Sequence, residues 1–467
     1  MDKTTTLLAE YALSQTHDNI SSAEIAAGVR HNLDGVGCAA GAFGSAPCRI
    51  ARELAAEVTS KPGCSVYGLA QPSSPEHAAF ANASANRHLD YNDSGIAPSR
   101  GSGGHPNDMT PAIFAAVELA GGSGRDLLLG SHIGYEVFAG LGAVNWRKRG
   151  WDQGAKIAVS TAAAAARMFG LDRDGIGNAI SLAITPGVPL RVVRTGELSH
   201  WKGSATAFSA MAGLFAARLA QKGLTGPPEP FEGADGLWKQ VTGPFEFDRL
   251  GEPKNGMGAL ERTFFKFFPS EYNSQGPVAS ILKMRDGVEP AQVEAIDVST
   301  YWMAWHEIGG GQGDAAQKWD PKTRESADHS LPYMVAVALT DGMVSLDSFT
   351  PERVSDPALR PLMQRITVTH DPAYDQRMKA GEWCARIRMR LKDGRVLTDE
   401  VSHPKGSTEN PMDDDDLNRK FDSMIGYVLP AEQARACRDA LWSIDRHATL
   451  EPVTSLLRRW SWRGPEP

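Results

Sequence analysis

Residues 156–169 read KIAVSTAAAAARMF, and Gly170 follows them. The run of small side chains from Thr161 to Ala166 lets neighbouring helices approach closely, and glycine just past the last periodic residue fits a helix C-terminal cap. This texture predicts a helix in the middle of a bundle, not a cofactor cradle. Outward from it the same pattern recurs. Ser21 with Glu24 makes a capping box ahead of an apolar-periodic run to Cys38, and Ser74 with Pro75 at the first helical position opens another helix. Helical patterns follow at 108–120, 126–144, 172–184 and 204–222, whereas residues 64–69 offer at most a short strand.

The character changes near residue 263. Residues 293–301 and 366–370 have the β-branched content of strands. Residues 384–391 and 396–401 alternate apolar and polar around Lys392, Asp393 and Gly394, a hairpin signal because Asp-Gly tolerates the positive φ of a tight turn. Helical patterns at 272–283, 329–340 and 353–364 accompany them, which makes this part α+β. Helices return at 415–425 and 430–444, and Asp413 to Asp416 favour the positive end of the helix dipole there more than they suggest a metal site. The fold class expected is mainly α: a helical domain of residues 1–262 plus 406–467, with an α+β domain of residues 263–405 inserted in it.

The 467 residues carry 48 Lys and Arg against 56 Asp and Glu, a net charge of -8, with no basic run to track phosphates. Nucleic acid is therefore not expected as a partner. Apolar stretches are broken before the roughly 20 residues a membrane span needs, and the N-terminus lacks the basic-then-apolar order of a signal peptide, so no membrane partner and a cytoplasmic location are expected. Cys38, Cys48, Cys64, Cys384 and Cys437 form no CxxC pair, which suits buried, reduced thiols.

Four stretches carry candidate chemistry. In residues 88–106, Asp90, Ser94 and His105 flank a loop with Gly101, Gly103 and Gly104; a helix continuing from upstream would put Asp90 and Ser94 on one face. Capping at a helix end is the competing reading. In residues 190–203, Arg191 and Arg194 could present guanidinium forks to a carboxylate, and Lys202, between Trp201 and Gly203, could supply a desolvated ammonium of lowered pKa. An exposed loop lysine is the plainer alternative. In residues 264–275, Lys266 sits among Phe264, Phe265, Phe267 and Phe268, where a cation either snorkels to water or serves a site. In residues 324–333, Asp328 or Ser330 caps a helix carrying Tyr333, which reads equally as a core residue.

Metal motifs are missing from the sequence, as are a P-loop, a dinucleotide fingerprint in its proper setting and a GxSxG elbow. What remains, Asp, Ser, His, Lys, Arg and Tyr, suits proton transfer on a polycarboxylate whose charge is held by cations.

Taken together, HLDYNDS at 88–94 with His105-Pro106, GELS leading to Trp201-Lys202-Gly203, Lys266 with Pro269, Glu271, Tyr272, Ser274 and Gln275, and ADHSLPY at 327–333 resemble the MmgE/PrpD, or 2-methylcitrate dehydratase, family. The resemblance covers nearly the whole chain. It implies a helical domain built from both chain ends, an α+β lid, a homodimer, no cofactor and no metal, and a small di- or tricarboxylate substrate. Family activities include dehydration of 2-methylcitrate or citrate, decarboxylation of cis-aconitate and epimerisation of iminodisuccinate. Carried over by position, Asp90, His105, Lys202, Lys266 and Tyr333 would be catalytic, with Ser94, Arg191, Arg194 and Glu271 at the substrate. Ser94 replaces a Thr of many relatives, and Asn273 a His of some dehydratases; Glu271 and Asp152 stand where decarboxylase-type relatives carry His, which argues against decarboxylation.

The leading expectation is a cofactor-independent hydro-lyase on a hydroxy-polycarboxylate. In it Arg191, Arg194 and Lys266 hold carboxylates, His105 or Lys202 takes the carbon-bound proton, Tyr333 or Lys266 protonates the departing hydroxyl, and Asp90 orients His105. An epimerase of an imino- or amino-diacid, a cis-aconitate decarboxylase and a non-catalytic carboxylate binder are the alternatives.

Overall fold

A computed structural model describes residues 1–95, 103–144, 146, 150–246 and 250–464. The chain is mainly helical with one four-stranded sheet. The Ala-rich stretch is the Gly154–Met168 helix, buried along its length and packed between Gly124–Leu141 and Trp201–Gln221. Small side chains permit that closeness, and Gly213 of Trp201–Gln221 does the same from its side: a Cβ there would strike the Ala158 carbonyl oxygen. Pro75–His88, with Ser74 as N-cap and Pro75 in the first turn, packs on the other side of Trp201–Gln221, and Ser22–Ala42, capped by Ser21, packs on Pro75–His88.

Strands β1 (Val293–Thr300), β2 (Ile366–His370), β3 (Ala385–Leu391) and β4 (Val396–Val401) run in the order β2-β1-β3-β4. β1 and β2 are parallel, with Ile296 opposite Ile366, and β3 and β4 form the expected antiparallel hairpin, with Gly394 at φ 90 in its turn. The alternation of β3 buries Ile387 and Met389 and leaves Arg386 and Arg388 outside.

Two main cores result. One gathers residues from Leu8 to Leu260 and again from Met412 to Trp460; the other runs from Phe268 to Leu391. The Asp414–Ile425 helix returns to the first core because Gly37 leaves room for it: a Cβ there would come within 3.1 Å of the Phe421 ring. Asp413 and Asp416 form a reciprocal capping box at its start, so this acidic run serves the helix end. All five cysteines are buried thiols, and among the described residues no helix is long and apolar enough to cross a membrane.

Several local expectations are corrected. The helix carrying Asp90 does not persist: it ends at His88, and Asp90 adopts φ 51, so Asp90 and Ser94 do not share a helix face. The helix expected from residue 204 begins at Trp201 and takes Lys202 into its first turn. The pattern at 353–364 breaks into short turns at Pro357 and Pro361, where the ring removes a donor and disfavours helix in the residue before it. The stretch 64–69 reduces to an isolated bridge between Cys64 and Ser73.

Candidate active site

Asp90 is the centre of the site. It is fully buried, in a left-handed conformation that turns its carboxylate toward four other segments. Arg87, one turn back, places Nη1 2.5 Å from Oδ1. Lys266 donates to the Asp90 carbonyl at 2.8 Å and to Oδ1 at 2.7 Å. Its segment is brought there by a two-way main-chain bridge in which Ser94 N donates to Phe264 O at 2.8 Å and Phe264 N to Ser94 O at 3.0 Å. Lys202 Nζ lies 3.5 Å from Asp90 Oδ2 and 2.6 Å from Asp328 Oδ1. Gly203 allows this approach, since a Cβ there would sit 3.3 Å from the His88 backbone. The other side is closed by His329, whose Nδ1 is 2.7 Å from Asp328 Oδ1 and 3.4 Å from Asp90 Oδ2.

His105 completes the group, with Nε2 3.7 Å from Asp90 Oδ1. The expectation that Asp90 fixes its tautomer is corrected: His105 Nδ1 lies 2.7 Å from the Asp93 carbonyl oxygen. A carbonyl can only accept, so Nδ1 carries the hydrogen and Nε2 keeps a lone pair. The same holds for His329, whose Nδ1 faces carboxylates. Neither Nε2 has a hydrogen-bond partner among the described residues. The glycine loop bears on this site through Gly104, at φ 154, where a Cβ would strike the Gln153 amide whose oxygen accepts from His105 N at 2.7 Å. Gly101 lies outside the described residues.

The electrostatics separate the two kinds of group. Burial would raise the Asp90 carboxyl, but Arg87, Lys266, Lys202 and His329 outweigh it and hold it well below the usual carboxylate range. Asp328 is likewise buried and held low, chiefly by Lys202. Burial pushes both imidazoles down, His105 well below its ordinary value with help from Arg87 and Lys266, and His329 to about 4 with help from Lys202. Both are neutral at pH 7. Burial also lowers the Lys266 ammonium, against the pull of Asp90. Glu271 is half-buried, accepts from Asn273 N at 2.7 Å and from Asn273 Nδ2 at 2.9 Å, and is pushed up to about 7 by burial and by Glu307. One ligand atom each from Asp90, Asp328 and His329 lie within 4.8 Å of one another. A divalent cation there would have to displace the ammonium groups already on both carboxylates.

Asp90, His105, Lys202 and Lys266 thus come together, with Ser94 buried close by. Three expected members are committed to other partners, although Arg194 still borders the cluster, with Nη1 3.5 Å from the Lys202 carbonyl oxygen. The Tyr333 hydroxyl donates to the Ser348 carbonyl and its ring packs by Phe349 in the second core, on a helix that Ser330 caps. Arg194 is clamped on buried Asp152 at 2.7 Å and 3.2 Å, and Arg191 reaches Glu307 at 2.8 Å. Their forks hold the protein's own acids. Arg87, Asp328 and His329 had drawn no catalytic role from the sequence. Arg87 precedes the HLDYNDS motif by one residue, and the adjacent Asp-His pair is the signal that a capping reading obscured.

What the chain assembles is a buried acid–base cluster, rich in cations, where segments of both cores meet. Sequence comparison places it: residues 6–250 match the MmgE/PrpD N-terminal domain and residues 268–446 the MmgE/PrpD C-terminal domain. The chain belongs to the MmgE/PrpD family, as its four motifs indicated. Among relatives, 2-methylcitrate dehydratase of Salmonella typhimurium is 28% identical over 450 residues, covering 91% of this chain and 90% of its own length. A cis-aconitate decarboxylase-like protein of Aspergillus oryzae is 25% identical over 416 residues, 84% of each chain. The cis-aconitate decarboxylase of Aspergillus terreus is 24% identical over 454 residues, 91% of this chain and 90% of its own.

Proposed function

We propose that this protein is a hydro-lyase that dehydrates 2-methylcitrate, citrate or a similar hydroxy-polycarboxylate without a cofactor. The observation that carries the reading is the pairing, around Asp90, of two imidazoles with two lysine side chains. Dehydration beside a carboxylate needs a base for the carbon-bound proton, an acid for the departing hydroxyl and fixed positive charge for the enolate-like intermediate. In this reading Lys202 and Lys266 meet the substrate carboxylates, His105 Nε2 takes the proton, and Ser94 lies beside the substrate. Glu271, pushed up to about 7, would hand a proton to the leaving hydroxyl. The α+β part, residues 263–405, acts as a lid and brings Lys266, Asp328 and His329 onto the helical part.

The dehydratase relatives support this reaction, and the printed names of the two Aspergillus relatives favour cis-aconitate decarboxylation as the second reading. Asp152 weighs against the second: clamped by Arg194, it cannot replace a proton-transferring imidazole. Epimerisation of an imino-diacid would use His105 and His329 as opposed bases. NMR in deuterated water with 2-methylcitrate, citrate, cis-aconitate and an amino-diacid separates these. An unsaturated product from 2-methylcitrate or citrate supports the proposal; carbon dioxide release, or deuterium uptake without loss of water, overturns it. A homodimer is part of the proposal, since Trp201, Phe208 and Phe215 recur every seven residues along one helix and are each exposed by 45–49%. A second copy of the same stripe would cover it, and light scattering at the monomer mass would remove that element.

A further inference from the structure

Lys420 lies on the Asp414–Ile425 helix, 154 residues after Lys266 and outside every motif named above. Its side chain is 3% exposed, and its ammonium has three oxygen partners: Asp34 Oδ1 in an ion pair at 2.6 Å, and the Tyr91 and Lys266 carbonyls in hydrogen bonds at 2.7 Å and 2.9 Å. It also stands 3.9 Å above the Tyr91 ring. The two carbonyls accept its hydrogen bonds, and the Asp34 carboxylate stands against it as counter-charge. The two carbonyls belong to the residue after Asp90 and to Lys266 itself, which is the pair at the centre of the site.

Few other contacts fix these two segments to each other: the Ser94–Phe264 bridge, the Tyr91 hydroxyl donating to the Phe267 carbonyl at 3.0 Å, and the Lys266 ammonium itself. Lys420 is the contact that ties the main chain under both. Asp34, from the Ser22–Ala42 helix, offsets its charge, so the ammonium can be buried beneath a site already crowded with cations.

We propose that Lys420 is a positioning residue that sets the separation of the Asp90 and Lys266 segments, an inference that rests on the site reading given above for its kinetic consequence. A compact ammonium suits the task. Its donors point in three directions, where a planar guanidinium would present a fork suited to one carboxylate.

The test compares three full-length variants. Lys420→Met with Asp34→Asn removes both members of the buried pair, so no lone charge is left inside. Lys420→Arg keeps the charge and the pairing with Asp34 but loses the three-way geometry. Arg30→Met breaks an exposed ion pair between the same two helices, Arg30 Nε to Asp414 Oδ1 at 2.8 Å, and controls for weakened helix docking. Crystal structures should show Lys266 Nζ withdrawn from Asp90 Oδ1 in the two Lys420 variants and in place in Arg30→Met. The kcat with 2-methylcitrate or citrate should fall roughly hundredfold for the double variant, the scale of an ångström misplacement, and about tenfold for Lys420→Arg. It should stay at the wild-type value for Arg30→Met. Should the double variant fail to fold, Lys420→Arg decides alone. An unmoved Lys266–Asp90 pair in either Lys420 variant overturns the proposal. Should the wild type turn over none of these acids, the site reading fails, and the crystallographic distance still decides the role of Lys420.

Discussion

Two groups of cations stand near the junction of the cores, and they are built differently. Around Asp152 and Glu307, two arginines meet two carboxylates, one of them through a fork that uses both carboxylate oxygens. Around Asp90 and Asp328, two lysines share their carboxylates with each other and with imidazoles whose second nitrogens have no hydrogen-bond partner among the described residues. A bidentate arginine pair is geometrically saturated and holds structure; point charges on flexible stems, beside neutral imidazoles, can be redirected to an arriving anion. The Arg-x-x-Arg spacing looked more like a carboxylate clamp than the isolated lysines did, yet in the folded chain the arginines pair with Asp152 and Glu307 and the lysines with the Asp90 and Asp328 carboxylates.

The largest effect should come from the saturated group. Arg194→Ala leaves Asp152 buried with the Gly154 N–H at 3.3 Å and Arg191 3.7 Å away, and should cost about 3 kcal/mol of stability in urea unfolding. Turnover per folded molecule should change little. Unchanged stability with a greatly raised KM would return Arg194 to the substrate and erase the distinction between the groups. Lys202→Ala works the other way: kcat should drop by ~10² or more, about 2.7 kcal/mol of transition-state stabilisation, when measured on folded protein. Near-normal turnover would remove Lys202 from the reaction.

This contrast marks what could be read from the sequence. The helical texture, the Asp-Gly hairpin and the acidic cap at Asp413 are local, and local chemistry sets them: small residues, turn angles and helix-end charge. Lys202 and Lys266 drew notice as lysines among aromatic and glycine residues, but their local setting fitted an exposed lysine or a snorkelling one as well, and the motif resemblance is what grouped them. The partners were not legible. Asp152 lies 42 residues before Arg194, Asp328 126 residues after Lys202, and nothing local announces such pairings. Tyr333 failed for a related reason: its motif is a helix start, and which face of that helix turns inward depends on a core assembled from distant strands.

A smaller effect concerns pH. Glu271 is pushed up to about 7, above its unfolded value, so its contribution to stability is present at low pH and is lost as pH rises through 7. Between pH 5 and 8 the wild type should therefore lose stability relative to Glu271→Gln, by on the order of 1 kcal/mol. The sign is the test: a difference constant with pH would mean that Glu271 ionises as an ordinary surface carboxylate and cannot serve as the acid near neutrality.

The smallest effect is expected at Tyr333. Its hydroxyl is buried, its proton is committed to the Ser348 carbonyl, and burial pushes its ionisation up, away from any range useful for proton transfer at pH 7. Tyr333→Phe keeps the ring and the packing on Phe349 and removes one buried hydrogen bond, a loss of about 1 kcal/mol. Turnover and its pH profile should be those of the wild type. If instead kcat collapses while stability holds, the second core contributes directly to the chemistry, and the boundary drawn between groups that hold the fold and groups that react would have to be moved to include it.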